Sequence, residues 1–217
     1  MSYDEYDAAR DEFYDEVRRE AINDFTSERL QSYYDKHPDV MRPAVLAISE
    51  GGWQQKEAHF EAAIVFFTSA VEMLLKATLL RPVIYGLVHS EALAEAIVQR
   101  AMSDLSLDRY TDLLAELFFV LAKVDVKAVR RDTSSPKTLL NDCKDLQIIR
   151  NGIVHRGEKV SAEQAEFARE VTEAVFERIV IRMLQALNLT VIEHGQITQS
   201  PYQAEKILQL STDQSNE

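Results

Sequence analysis

The chain has 217 residues, 46% of them hydrophobic, which is enough for one sizeable core and too few for two large domains. Its net charge of −12 argues against a protein that grips nucleic acid through a broad basic face, because such binding needs many Lys and Arg to neutralise phosphates. A single cysteine, Cys143, excludes an intramolecular disulfide framework. The acidic, Tyr-rich start lacks the charged-then-apolar layout of a secretory leader, so the expected compartment is the cytoplasm.

Six Gly and five Pro, with apolar positions recurring at three and four rather than two, predict an all-α protein. Residues 3–34 carry Phe13, Val17, Ala21 and Phe25 at helical spacing among many Asp and Glu, predicting a long amphipathic helix that stops before His37-Pro38. Residues 1–36 are read as an acidic helical extension, with Tyr3, Tyr6 and Tyr14 as packing or partner contacts. A second helix is predicted over residues 43–50, stopped by Gly51-Gly52, with Trp53 in the connection. The third, residues 55–80, ends at Arg81-Pro82, where proline bars continuation. Its apolar run, 62–80, contains Glu72 and Lys76; a membrane span avoids both charges, so this is a buried core helix and no membrane association is expected.

Helical spacing returns at 90–101 and again at 108–123, where Tyr110, Leu113, Leu114, Leu117 and Leu121 form a stripe. Residues 130–137 read as a loop, and a helix follows over 137–155, broken at Gly157. Ser161 and Gln164 have capping-box spacing at the start of a long helix reaching about Asn188. Residues 190–198, β-branched around His194-Gly195, predict a small hairpin, and residues 211–217 a disordered tail. The expected organisation is an extension (1–36), a helical bundle (37–188) and a C-terminal hairpin with its tail (189–217).

Chemistry concentrates in residues 149–157, Ile-Arg-Asn-Gly-Ile-Val-His-Arg-Gly. Steps of four and three from Leu139 give Cys143, Leu146, Arg150 and Ile153, so Arg150 falls in line with an apolar stripe and needs a partner or a ligand. Asn151 and His155, four apart, share the adjacent face, close enough to touch one phosphate together. Gly157 suits the left-handed residue that closes a helix. The plainer reading pairs Arg150 with a carboxylate and leaves His155 to favour the helix C-terminus as a cation. On the third helix Ser69, Glu72 and Lys76 form a polar stripe; Ser69 or Glu72 would hold Arg150 or His155, unless Glu72 simply pairs with Lys76. Arg156 is a second phosphate-binding candidate. Cys143 is a core residue, and His37, His59, His89 and His194, without recognisable companions, are structural or surface residues.

The segment Arg150-Asn151-x-x-x-His155, ending an apolar helix and followed by a long final helix, resembles the signature of the HEPN superfamily (higher eukaryote and prokaryote nucleotide-binding domains). Residues 70–76, Ala-Val-Glu-Met-Leu-Leu-Lys, look like that family's earlier core helix, so the resemblance covers about residues 43–188. It implies an up-and-down helical bundle and, in many members, a metal-independent endoribonuclease that works as a dimer. Relatives occur in toxin–antitoxin and anti-phage systems. Carried over, the resemblance makes Arg150 and His155 catalytic and Asn151 supporting, in a cytoplasmic homodimer acting on single-stranded RNA. Neither metal nor cofactor is expected, and a regulatory protein partner is. The alternative is a HEPN-like module without catalysis that binds a partner protein or a nucleotide. Some family toxins carry a Tyr two residues beyond the His that a partner nucleotidyltransferase modifies; Gly157 stands there, so that control is not expected.

Overall fold

The computed structural model describes residues 27–88, 90–103, 115–116, 118–120 and 122–200. The expectations for Phe13, Val17, Ala21, Phe25, for Tyr3, Tyr6 and Tyr14, for the stripe from Tyr110 to Leu121, for His89 and for the tail 211–217 lie outside them.

Helix α1 is seen over residues 27–36 and ends ahead of Pro38, where the His37 N–H donates back to the Tyr33 carbonyl at 2.9 Å. Helix α2 spans Arg42–Lys56 and corrects the sequence reading, since Gly51 and Gly52 lie inside it and Trp53 sits exposed on its surface, not in a connection. The reason is packing. Gly51 is buried where α2 crosses the next helix, and a Cβ there would stand 2.9 Å from Phe67 ring atoms. The glycine is a close-approach residue rather than a helix stop.

Helix α3 begins at Phe60, after a turn in which Ala58 takes φ of 57°, and runs over Phe60–Met73. It does not end at Pro82. A π-helical segment, Leu74–Leu80, carries it into a further α-helical stretch, Arg81–Leu87, with Pro82 in that stretch's first turn. The wider π turn, in which the Arg81 N–H reaches the Lys76 carbonyl, admits a proline that a regular helix interior would reject. Pro82 has no N–H to offer the Thr78 carbonyl four residues back. The buried Tyr34 hydroxyl of α1 donates to that carbonyl at 2.7 Å instead. By length and composition Phe60–Gly86 could cross a membrane, but 67% of its most apolar window is buried in the fold, as befits a core helix.

Helix α4 covers Glu91–Ser103. After the 123–138 connection, helix α5 spans Leu139–Arg156 and closes on Gly157, whose φ of 64° is left-handed as expected. Helix α6 starts at Ala162 with both capping-box bonds between Ser161 and Gln164, runs to Val175, and continues through a π segment, Phe176–Val180, into Ile181–Ala186. The hairpin then forms: β1 (Leu189–Ile192) pairs antiparallel with β2 (Gln196–Gln199), with Leu189 opposite Gln199.

The long rods α3 and α6 pack along their length, and their two π segments meet. Ala63, Ile64, Phe67 and Val71 of α3 join Ala165, Ala168, Val171 and Val175 of α6 in one core. Small residues on α6 let the backbones come close, and the Thr172 hydroxyl, which donates to the Ala168 carbonyl at 2.8 Å, also lies 3.3 Å from the Phe67 carbonyl. Helices α2 and α5 flank this pair. Leu30, Tyr33 and Tyr34 of α1 and Leu189 and Ile197 of the hairpin belong to the same core, which therefore crosses the expected boundaries after residues 36 and 188. The described residues form a mainly α-helical fold with one small two-stranded sheet.

Candidate functional site

Helix α5 presents its apolar side to α3 and α6 through Leu139, Cys143 and Leu146, each at most 1% exposed. Burial pushes the Cys143 thiol up to about 12, so it is an inert core residue as the sequence implied. Continuing that line, Arg150 emerges at the edge of the core and is half-buried. Its Nε is buried and makes no hydrogen bond among the described residues, while its Nη1 donates to the Asn151 side-chain oxygen at 3.0 Å. No ion pair to Arg150 occurs among the described residues. The expected carboxylate partner is not what holds it.

Asn151 and His155 are both exposed on the outward side of α5. Asn151 therefore serves Arg150 rather than the imidazole. The last turn is closed from beyond the helix: the Gly157 and Glu158 N–H groups turn back to the carbonyls of Ile153 and Gly152 at 3.0 and 3.2 Å. Arg156 is bound to Glu158 by a 2.6 Å ion pair, so it can serve a phosphate only by exchanging partners.

Two contacts fix how α5 lies on α3. Gln147 approaches Glu72 at 3.5 Å, and Lys159 pairs with Glu61 at 3.2 Å, so the helices run antiparallel. At 1.5 Å per residue His155 stands about 12 Å beyond the level of Glu72. Glu72 thus meets Gln147, one turn short of Arg150, and the Ser69 hydroxyl turns back to its own helix's Val65 carbonyl at 2.8 Å. Neither hydrogen-bonds Arg150 or His155 among the described residues. The site reduces to Arg150, Asn151 and His155 at the end of α5.

Two exposed apolar side chains lie beside it. Ile148 is 63% exposed and Val154 51%, flanking Asn151 and His155 on the same helix. The principal clefts among the described residues are lined by neither Arg150 nor His155.

A constellation that sequence reasoning missed lies at the other end of α3, where Arg29, Tyr33, Lys36 and His37 of α1 and its following turn meet Tyr85 in a cleft of about 230 Å³. Its signal was present as Arg29, Tyr33 and Lys36-His37 at four- and three-residue steps on one helix.

Compared with protein-family models, curated proteins and solved structures, the chain gives no match.

Proposed function

We propose that the protein is a metal-independent endoribonuclease of the HEPN type, cutting single-stranded RNA as a homodimer, with Arg150 and His155 catalytic and Asn151 supporting. One observation carries the reading: Arg150, at the rim of the core, has no carboxylate partner among the described residues, and its guanidinium is steered by Asn151 toward the face that exposes His155. A structural arginine there would be paired. A guanidinium left open suits a phosphate.

The chemistry follows from the groups. One His155 takes the proton of a ribose 2′-hydroxyl as its oxygen bonds to the adjacent phosphorus; the bond from phosphorus to the 5′-oxygen breaks, and that oxygen receives a proton from a second imidazole. The products are a 2′,3′-cyclic phosphate and a 5′-hydroxyl. Arg150 holds the charge that builds on the equatorial oxygens. One imidazole per chain does not perform both proton transfers at once, and a two-fold axis supplies the second. The exposed Ile148 and Val154 give the two copies an apolar surface to bury around the paired sites. By resemblance, the setting is toxin–antitoxin or anti-phage defence.

The test is cleavage of a labelled single-stranded RNA by wild type, Arg150→Ala and His155→Ala, with and without chelator. Wild-type cleavage should persist in chelator, and each variant should lose about 10²-fold or more. Equal rates for wild type and His155→Ala refute the catalytic assignment. The net charge of −12 and the commitment of Arg156 and Lys159 to Glu158 and Glu61 favour a second reading, a binding module without catalysis. It predicts no cleavage by any of the three proteins.

A further inference from the structure

We infer that the cleft between α1 and the far end of the α3 rod binds a nucleoside monophosphate, free or at the end of an RNA. The cleft measures about 230 Å³, below the range of roughly 300–1,000 Å³ usual for drug-sized ligands, so it takes at most one nucleotide. Its floor is Tyr33, only 8% exposed, with the His37 ring at 4.5 Å and the Tyr85 ring at 5.3 Å from it. His37 is exposed, and its imidazole makes no hydrogen bond among the described residues, leaving a free planar edge and face. Such a ring cluster stacks a base of any sequence.

Cations surround these rings in a protein that is otherwise strongly acidic. The Arg29 guanidinium donates to the Tyr85 and Val88 carbonyls at 3.4 and 3.3 Å, which fixes it at the rim of the cleft. Lys36 is exposed and forms no ion pair among the described residues. Arg81 stands behind Tyr85, its guanidinium carbon 5.8 Å from the ring centroid and its Nε buried without a hydrogen bond among the described residues. Glu95 takes the Tyr85 hydroxyl and faces Arg81 at 3.7 Å, so it offsets Arg81 while Lys36 stays open to a phosphate. Rings for stacking beside an open ammonium select an aromatic that carries a phosphate. A phosphotyrosine peptide shares those two groups, but recognition of that kind leans on clustered Arg forks, whereas the open cation here is a lysine.

The site is separate from the one at His155. Tyr85 lies thirteen residues along the rod from Glu72, and His155 lies the other way, so the two are roughly 30 Å apart.

The experiment is titration calorimetry of the full chain with AMP, GMP, CMP and UMP, alongside the parent nucleosides, inorganic phosphate and O-phosphotyrosine. At least one nucleotide should bind at one per chain, and Lys36→Ala and His37→Ala, both exposed positions, should each weaken it about tenfold with Tm preserved. His155→Ala should leave binding intact. Tighter binding of a 5′-phosphorylated single-stranded oligonucleotide, with the same sensitivity to Lys36→Ala, identifies the ligand as an RNA end; equal binding identifies the free nucleotide. The proposal is overturned by no saturation at millimolar nucleotide, by inorganic phosphate or O-phosphotyrosine binding as tightly as any nucleotide, by indifference to both variants, or by loss of binding in His155→Ala.

Discussion

Tyr34→Phe removes one oxygen from the protein, and the structure says what that costs. The Tyr34 hydroxyl is fully buried, its ionisation suppressed by burial, and its hydrogen bond goes to the Thr78 carbonyl at 2.7 Å. That carbonyl would take its regular helical bond from residue 82, and residue 82 is proline. Deleting the hydroxyl leaves that carbonyl without the tyrosine and without an N–H at residue 82, and the expected penalty is about 1–3 kcal/mol. With a urea m-value of about 2 kcal/mol/M, the unfolding midpoint should fall by roughly 0.5–1.5 M. Pro82→Ala restores an N–H beside the same carbonyl. In that background Tyr34→Phe should cost at least about 1 kcal/mol less, a coupling read directly from a double-mutant cycle. Equal penalties in the two backgrounds would mean that the tyrosine contributes only by packing, and the account of how α3 passes through Pro82 would fail.

The adjacent glycines of α2 should behave oppositely. Gly51→Ala drives a methyl into the Phe67 ring and should destabilise by about 1–3 kcal/mol, whereas a Cβ at Gly52 meets nothing within 4 Å and Gly52→Ala should stabilise by about 0.5–1 kcal/mol. Thermal unfolding of both variants checks this, and similar Tm changes of one sign would contradict the packing argument. For pH, Asp142 is decisive: burial raises its carboxyl above the usual range, with the Arg131 guanidinium pulling the other way, and its Oδ2 is buried without a hydrogen bond among the described residues. A raised folded-state pKa stabilises the fold fully below the ordinary carboxyl range, near pH 4, and that contribution is lost as pH rises through the folded value. Asp142→Asn should therefore gain on wild type between pH 4 and 7 in urea unfolding; a variant that loses ground over that interval would reverse the sign.

Helix ends written in local chemistry were legible in the sequence: the capping box at Ser161 and Gln164, the left-handed Gly157, and the turn at His194-Gly195 that closes the hairpin. Each is decided by residues within one turn of one another. The misread ends were decided from elsewhere in the chain. Gly51-Gly52 reads as a stop until Phe67, sixteen residues on, fills the space that glycine leaves. Pro82 reads as a stop until a tyrosine from α1 supplies the missing donor. At the candidate site, spacing put Arg150 on the line of Leu139, Cys143 and Leu146, where it emerges half-buried, and Asn151 with His155 on the adjacent face, which is exposed. It did not foresee that Asn151 would serve the guanidinium, or that Glu72 and Ser69 would be spent on Gln147 and a backbone carbonyl, since both depend on how far α5 slides along α3.

That slide also bears on what the protein needs in order to act. With Glu72 about 12 Å behind His155 along the rod and Glu61 paired with Lys159, neither carboxylate of α3 hydrogen-bonds the imidazole. On the proposed ribonuclease reading, a second copy across a dimer axis or the RNA itself would supply the orienting group. Ile148→Glu separates these cases. It puts a charge on the apolar surface beside Asn151 while leaving Arg150 and His155 in place, and Ile148 is 63% exposed, so the fold should tolerate it. If a second copy completes the site, light scattering should show a monomer and cleavage should fall with dimer population, recovering at high protein concentration. Cleavage at the wild-type rate by a monomeric variant would refute the two-imidazole mechanism.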